Sequence, residues 1–163
     1  MNSARPASAE DFSFFYRLYM HPDINPYLLY EVMDEASFQP IYAQLLEEKI
    51  LYVFQHQGKD AGMFKLIPLQ HRTSHIAYLG GLAIAPEYAG QGLAPKMFEV
   101  IFGLAQKLQI KRIELSVATH NQRAIKLYEK VGFQTEGILR NYTHLKSEGR
   151  YIDEQLMARL FSF

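Results

Sequence analysis

An α/β (α+β) domain, with a mixed and mostly antiparallel central sheet flanked by helices, is the fold the sequence predicts. Three observations predict it. The stretch 80–105 reads as a short buried strand, a glycine turn and an amphipathic helix, which is half of a strand–helix–strand crossover. Two β-rich runs, 50–56 and 61–69, flank the turn Gln57-Gly58-Lys59-Asp60 as a hairpin would. Two further runs, 133–142 and 150–160, are joined by the polar turn 146–149.

The elements follow in chain order. Ser8 and Asp11 have capping-box spacing, and Phe12, Phe15, Tyr16 and Tyr19 then mark one helical face. His21-Pro22-Asp23 ends that helix. Residues 24–36 are irregular, aromatic and acidic, and so many large apolar side chains predict a segment packed over something. Ser37 caps a second helix with Phe38, Ile41, Tyr42 and Leu45 as its buried face. After the 50–69 hairpin and a polar turn at 70–74, the strand 75–84 leads into the glycine turn. The helix 93–108 carries apolar residues at 93, 97, 101, 104 and 108, and the strand 112–117 follows it. Asn121 caps a helix at 122–130, with Ala124, Leu127, Tyr128 and Val131 on its inner face and Gly132 just beyond its end. The order is therefore helices, a three-stranded meander, a strand–helix–strand crossover, a helix and a final hairpin.

Composition narrows the function. With 163 residues the chain reads as one domain, 1–163, with room for a real core. Seventeen basic residues balance seventeen acidic ones, which argues against a nucleic-acid grip. There is no cysteine, hence no thiolate metal site and no cysteine nucleophile. The six histidines lack metal-ligand spacing, since His71 and His75 fall in a turn, so no metal is expected. The start shows no signal peptide, and no apolar run is long enough to span a membrane. These features predict a cytoplasmic enzyme or binding domain with neither nucleic-acid nor membrane partners.

The turn Ala89-Gly90-Gln91-Gly92 opens a helix. A helix start leaves backbone N–H groups unpaired and turns a positive dipole end outward, which suits phosphate. Leu93-Ala94 replaces the Lys-Ser or Lys-Thr of a nucleotide P-loop, and no third glycine completes a dinucleotide fingerprint. Taken by itself, the turn reads equally well as a tight strand-to-helix connection without a ligand.

Two motifs carry a resemblance. The first is Leu82-x-Ile84-x-Pro86 followed by Gly90-Gln91-Gly92-Leu93-Ala94. The second is Asn121-x-x-Ala124-x-x-x-Tyr128-x-x-x-Gly132-Phe133. Together, in this element order, they resemble the GNAT superfamily of acyl-CoA-dependent N-acetyltransferases across nearly the whole chain. Arg5-Pro6-Ala7 and Glu10-Asp11 resemble that family's opening. The tail Glu136-Gly137-x-x-Arg140, Gly149-Arg150-Tyr151-x-Asp153 and Met157 resembles the branch of ribosomal-protein alanine, polyamine and amino-acid acetyltransferases. Ala89, where the family usually has Arg or Gln, and Pro95, which removes an N–H donor from the first helical turn, depart from the pattern.

The resemblance implies a GNAT fold with an acyl-CoA cleft between the fourth and fifth strands, and acetyl-CoA as co-substrate. It implies that Leu82, Ala83 and Ile84 pair their backbone with the coenzyme arm, and that Ala89, Gly90, Gln91, Gly92, Leu93 and Ala94 hold its pyrophosphate. Asn121 would contact the coenzyme arm, and Tyr128 would protonate the departing thiolate. A phenol with a pKa of about 10 is still protonated at neutral pH. Read from spacing alone, Leu82-Ala83-Ile84 is a core strand, Asn121 a helix cap and Tyr128 a core tyrosine.

The base is less defined. Tyr78 stands where many members carry a strand glutamate. Glu114 is an alternative, although its position suits a solvent-facing charge on a strand. Tyr30, Glu31, Asp34 and Tyr78 are the residues expected near the acceptor, a small-molecule amine of amino-acid or polyamine type. The crowding of Tyr27, Leu28, Leu29 and Tyr30 favours a closed pocket over the open groove that a protein N-terminus needs. A non-catalytic acyl-CoA-binding module is the remaining alternative. The helices and sheet edges are compatible with a homodimer without requiring one.

Overall fold

The computed structural model describes residues 1–163. Seven strands and four helices alternate: β1 (Asn2–Pro6), α1 (Phe12–Tyr19), α2 (Glu35–Glu48), β2 (Leu51–His56), β3 (Lys59–Pro68), β4 (Ile76–Ile84), α3 (Leu93–Lys107), β5 (Arg112–Ala118), α4 (Gln122–Lys130), β6 (Gln134–Leu145) and β7 (Arg150–Leu160). The strands form a mixed sheet in the order β1-β2-β3-β4-β5-β7-β6. The chain groups into two compact units, one of Met1–Leu66 with Gly80–Ile101, the other of Ile67–Leu79 with Phe102–Phe163. No helix is long and apolar enough to cross a membrane.

In the first unit β1 pairs antiparallel with β2, from Asn2↔His56 to Pro6↔Tyr52. The sequence reading began with helices and missed this strand. Its five residues have no apolar alternation, so only the pairing with β2 reveals it. Arg5 anchors it, reaching Asp11 with two hydrogen bonds of 2.8 Å and Asp60 at 3.2 Å. Asp11 also accepts from the Ser8 N–H at 2.8 Å, as the capping box predicts. The β2–β3 turn places both Gln57 and Gly58 at positive φ, +52° and +77°, the backbone of a two-residue hairpin.

Above these strands α1 and α2 meet through aromatic rings, with Phe12 against Tyr42 at 5.5 Å and Tyr19 against Phe38 at 5.4 Å. The cap of α2 is Asp34 rather than Ser37, because the Asp34 carboxylate accepts from the Ser37 N–H at 2.8 Å. The segment before α2 is also more open than its composition suggests. Tyr27, Leu29 and Val32 are 58%, 76% and 66% exposed, so the expected closed aromatic pocket is not formed by these side chains. Backbone hydrogen bonds hold the segment instead. The Asn25 amide donates to the carbonyls of Tyr19 and Tyr30 at 2.8 Å, and the Tyr16 hydroxyl donates to that of Met33 at 2.8 Å.

In the second unit the first residues of β4 run parallel to β5, from Ile76↔Arg112 to Tyr78↔Glu114. β7 pairs antiparallel with β5 on one side and β6 on the other, so the final hairpin places its second strand inside. β6 runs to Leu145, beyond the expected 142, because a bulge between Leu139 and Thr143 lets pairing resume. At that bulge Asn141 has φ +50°, and its N–H donates to Asp153 at 2.8 Å. α4 keeps its expected bounds and its Asn121 cap, which accepts from the Ala124 N–H at 3.3 Å. Its fully buried residue is Ile125, while the four residues expected on the inner face are half-buried.

The Arg5 hydrogen bonds hold the Asp11 carboxyl below its ordinary range, against a smaller opposing effect of burial. A depressed carboxylate contributes stability above its unfolded pKa of about 3.9 and loses it as pH falls through the folded value. Arg5→Met removes the largest part of that depression and leaves the smaller part due to Ser8. Acid unfolding followed by far-UV circular dichroism should then begin at a higher pH than in the wild type.

Candidate active site

The first unit supplies a strand end and a glycine loop. Ala83 on β4 is buried, and its carbonyl is closely approached by β3, since a Cβ built on Gly62 would lie 2.7 Å from that oxygen. Leu82 and Ile84 are half-buried. β4 ends as the Ala85 N–H donates to the Ala61 carbonyl at 2.8 Å. A single 3-10 turn, Pro86–Tyr88, leads to Ala89, whose N–H donates to the Pro86 carbonyl at 3.1 Å. Gly90 and Gly92 then take positive φ, +76° and +70°, and nothing lies within 4 Å of where their Cβ atoms would be. No protein carbonyl accepts from the exposed N–H groups of Gly90, Gln91 or Gly92, and α3 starts at the buried Leu93 with Ala94 half-buried behind it. This is an open cradle of backbone donors at a helix start, which suits an anionic group. Pro95 withholds one donor inside the first turn.

Three of the expected acceptor residues lie in this unit. Tyr30 is half-buried, its ring 5.6 Å from that of Tyr19 and 5.5 Å from the Lys65 ammonium. Glu31 is exposed, and Asp34 is engaged as the α2 cap.

The second unit holds the tyrosine expected to act. Tyr128 lies on α4 with its ring 6.2 Å from that of Phe133. Burial, and secondarily the neighbouring Tyr78, push its phenol up to about 12. Tyr78 shares a hydrogen bond of 2.8 Å with the Ser116 hydroxyl. Burial raises the Tyr78 phenol as well, against the Ser116 hydrogen bond, with Tyr142 and Glu154 adding smaller upward effects. Glu114, the alternative base, pairs with Arg112 at 2.8 Å, and Arg112 also holds Glu136 at 2.7 Å. It is thus half-buried and ion-paired, not the solvent-facing charge its strand position suggested. The sequence reading missed Ser116 and Glu154. Ser116 stands two residues after Glu114 on the same strand face, a period-2 signal that could have joined it to Tyr78. Glu154 accepts from the Thr143 hydroxyl, a partner that only the β6–β7 register brings near.

An open cavity of about 650 Å³ lies at the β6 bulge, lined by residues 138–142 and Asp153. No group of three or more His, Asp or Glu side chains converges as a metal ion would require. The polar groups described at the expected positions are the backbone donors of residues 90–92 and the phenols of Tyr78 and Tyr128.

Comparison with known proteins bears on that chemistry. Residues 12–133 match the model of the Acetyltransferase (GNAT) family. Spermidine N(1)-acetyltransferase of Escherichia coli (strain K12) is 27% identical over 141 residues, covering 83% of this chain and 74% of that protein. L-amino acid N-acetyltransferase AaaT of the same strain is 33% identical over 90 residues, covering 55% of this chain and 54% of its own. Among solved structures, spermidine N-acetyltransferase from Vibrio cholerae in complex with CoA and spermine superposes with a TM-score of 0.85 at 26% identity, over 98% of this chain and 95% of that one.

The cradle's geometry makes a prediction of its own. With open space around Gly92, an added methyl meets no atom and only the left-handed backbone resists it. Gly92→Ala should therefore cost about 1 kcal/mol in urea unfolding, the usual cost of holding an L-residue at such angles. A loss several times larger would mean that the loop is packed rather than open.

Proposed function

The chain belongs to the GNAT acetyltransferase family and is an N-acetyltransferase, and from that premise we propose that it moves acetyl directly from acetyl-CoA to the primary amine of a small molecule. The observation that carries this reading is Tyr128, whose phenol is raised by burial and stays protonated beside the half-buried Tyr78. A single N-acetyltransferase domain, a cytoplasmic setting and a small-molecule partner belong to the same proposal. The relatives that act on spermidine and on L-amino acids support an acceptor of that size.

The fit to the coenzyme rests on the loop. Residues 90–94 offer backbone donors to the pyrophosphate, with Gly90 and Gly92 lacking the side chains that would fill the cradle. Donors remain despite Pro95 and despite the Ala89 N–H being engaged by Pro86. Leu82, Ala83 and Ile84 align the pantetheine arm by backbone pairing, and an N–H of this strand polarises the thioester carbonyl. Asn121 contacts the arm while capping α4.

In the transfer, the lone pair of the neutral amine attacks the thioester carbon and a tetrahedral oxyanion forms. Collapse re-forms the carbonyl and breaks the carbon–sulfur bond. Tyr128 gives its proton to the departing thiolate, and the proton lost from the amine nitrogen returns to solvent through water. No strand carboxylate is required of a weakly basic acceptor. An α-amine with a pKa of about 8 is roughly one-tenth neutral at pH 7, against under a thousandth for an alkylamine near 10.4.

Thermal-shift titration with acetyl-CoA, free CoA and ATP tests the donor. At about 100 times its dissociation constant a coenzyme adds about 2.7 kcal/mol, a rise of roughly 5 °C or more for a chain of this length. Both coenzymes should produce it and ATP should not. A rise with neither coenzyme would retire the acetyl-CoA reading.

Tyr128→Phe tests the acid. Its kcat, followed by release of free thiol, should fall about 100-fold with coenzyme affinity nearly unchanged. A general acid loses activity as pH rises through its pKa, so with the Tyr128 phenol at about 12 the wild-type kcat should show no loss from this group up to about pH 10. Full turnover in the variant would assign Tyr128 to the core alone.

A further inference from the structure

The first unit buries two donors for which it provides no acceptor. Lys65, on β3, is only 6% exposed, yet no carboxylate lies within ion-pair distance of its ammonium. The group nearest to it in character is the Tyr30 ring, 5.5 Å from Nζ. Tyr19, on α1, is 1% exposed, and its hydroxyl has no hydrogen-bond partner at all. Burying a hydroxyl without a partner is costly, and so is drawing a lysine inward with no anion beside its ammonium.

The Tyr19 hydroxyl and the base of the Lys65 side chain both lie against Gly81 of β4. A Cβ built there would lie 2.7 Å from the Tyr19 hydroxyl oxygen and 3.5 Å from the Lys65 Cβ. Gly81 adopts φ +57°, a backbone that glycine holds without strain, and it immediately precedes Leu82, where the coenzyme thioester is proposed to align. Glycine at this point leaves room for the Tyr19 hydroxyl, and the Tyr30 ring borders both side chains, 5.6 Å from the Tyr19 ring and 5.5 Å from the Lys65 ammonium.

The absent partner must therefore be an acceptor carrying negative charge. A carboxylate is acceptor-only and has two oxygens, enough for both donors. We propose that Lys65 and the Tyr19 hydroxyl, set against the bare face of Gly81, form a subsite for the carboxylate of the acceptor substrate, so that the acceptor is an α-amino acid rather than a polyamine. This deepens the amine-acetylation reading and rests on it.

The surroundings agree. Burial lowers the Lys65 amine, and Glu48 on α2 only partly opposes it, so a carboxylate placed there would raise it again. A polyamine would bring further cations to a pocket that already holds an uncompensated one. Tyr30 covers the subsite from a segment whose neighbours Leu29 and Val32 are exposed, and the ligand reaches Lys65 by displacing this ring.

The test compares L-amino acids with the amines made by removing their carboxyl groups, alongside spermidine, with the whole chain and acetyl-CoA. The amino acids should lead their amines by about 1000-fold in kcat/KM, since the Lys65 contact adds to the advantage of the less basic amine. In Lys65→Met that ratio should fall about 100-fold, and in Tyr19→Phe about tenfold, as expected for a charged and a neutral donor. Tyr19→Phe also removes an unpaired buried hydroxyl, so its melting temperature should stay level or rise while the ratio falls. That combination separates a binding role from a structural one, and it decides the question should Lys65→Met fail to fold.

Transfer to spermidine with none to amino acids would overturn the subsite and leave acetyl transfer standing. A ratio unmoved in both variants would overturn it too. Transfer to no amine would overturn the parent reading instead. Calorimetric titration with N-acetyl amino acids would then decide the subsite, which fails if they do not bind or bind Lys65→Met as tightly as the wild type.

Discussion

β4 pairs with β5 through three residue pairs, Ile76 to Tyr78 against Arg112 to Glu114, and then runs through two consecutive glycines. The strand meets different constraints along its length. A parallel ladder holds its first third in register, which sets Tyr78 beside Ser116. Its last third lies close against β3, where the Gly62 backbone approaches the Ala83 carbonyl so nearly that no side chain fits. Between these stretches Gly81 turns to positive φ, with the Tyr19 hydroxyl and the Lys65 Cβ against its bare face. A residue with a side chain at that point would meet the Tyr19 hydroxyl and resist the backbone angle as well.

Electrostatics divides the chemistry between groups that are neutralised and groups that are not. Arg112 occupies Glu114 and Glu136, and Arg5 occupies Asp11 and Asp60. These carboxylates are tied into the structure and are poor candidates for proton transfer. The tyrosines are raised by burial, so they remain donors at physiological pH and suit the protonation of a thiolate better than the abstraction of a proton. In the proposed transfer, such protonated phenols suit an acceptor that gives up its proton readily.

Elements governed by neighbours in the chain are legible in the sequence. The α4 helix keeps its expected bounds because its signals are local: an Asn121 side chain that caps, and a Gly132 that takes φ +105° where the helix ends. The glycine loop is legible for the same reason, since a helix start defines its own donors. The start of α2 differs from expectation by three residues because Asp34 and Ser37 are both competent caps and only the fold chooses between them. The segment 24–36 differs because its apolar content suggests burial, whereas the Asn25 and Tyr16 hydrogen bonds to backbone hold it while Leu29 and Val32 stay in solvent.

The sequence by itself determined the element order from α1 onward and the glycine loop, because turns, caps and helical periodicity are set within a few residues, and it singled out Tyr128 only through a motif. Tertiary structure alone decided which charges are compensated. Lys65 reads from the sequence as an ordinary strand lysine, but residues 61–66 of β3 are all buried, so alternation does not apply there and the ammonium goes inside. Arg112 could pair with Glu114 from its own strand, but Glu136 reaches it from β6, across a sheet whose strand order no local signal specifies. β1 likewise exists only as a partner of β2. Pairings between distant segments depend on register and burial, and those are properties of the folded chain, not of any stretch of it.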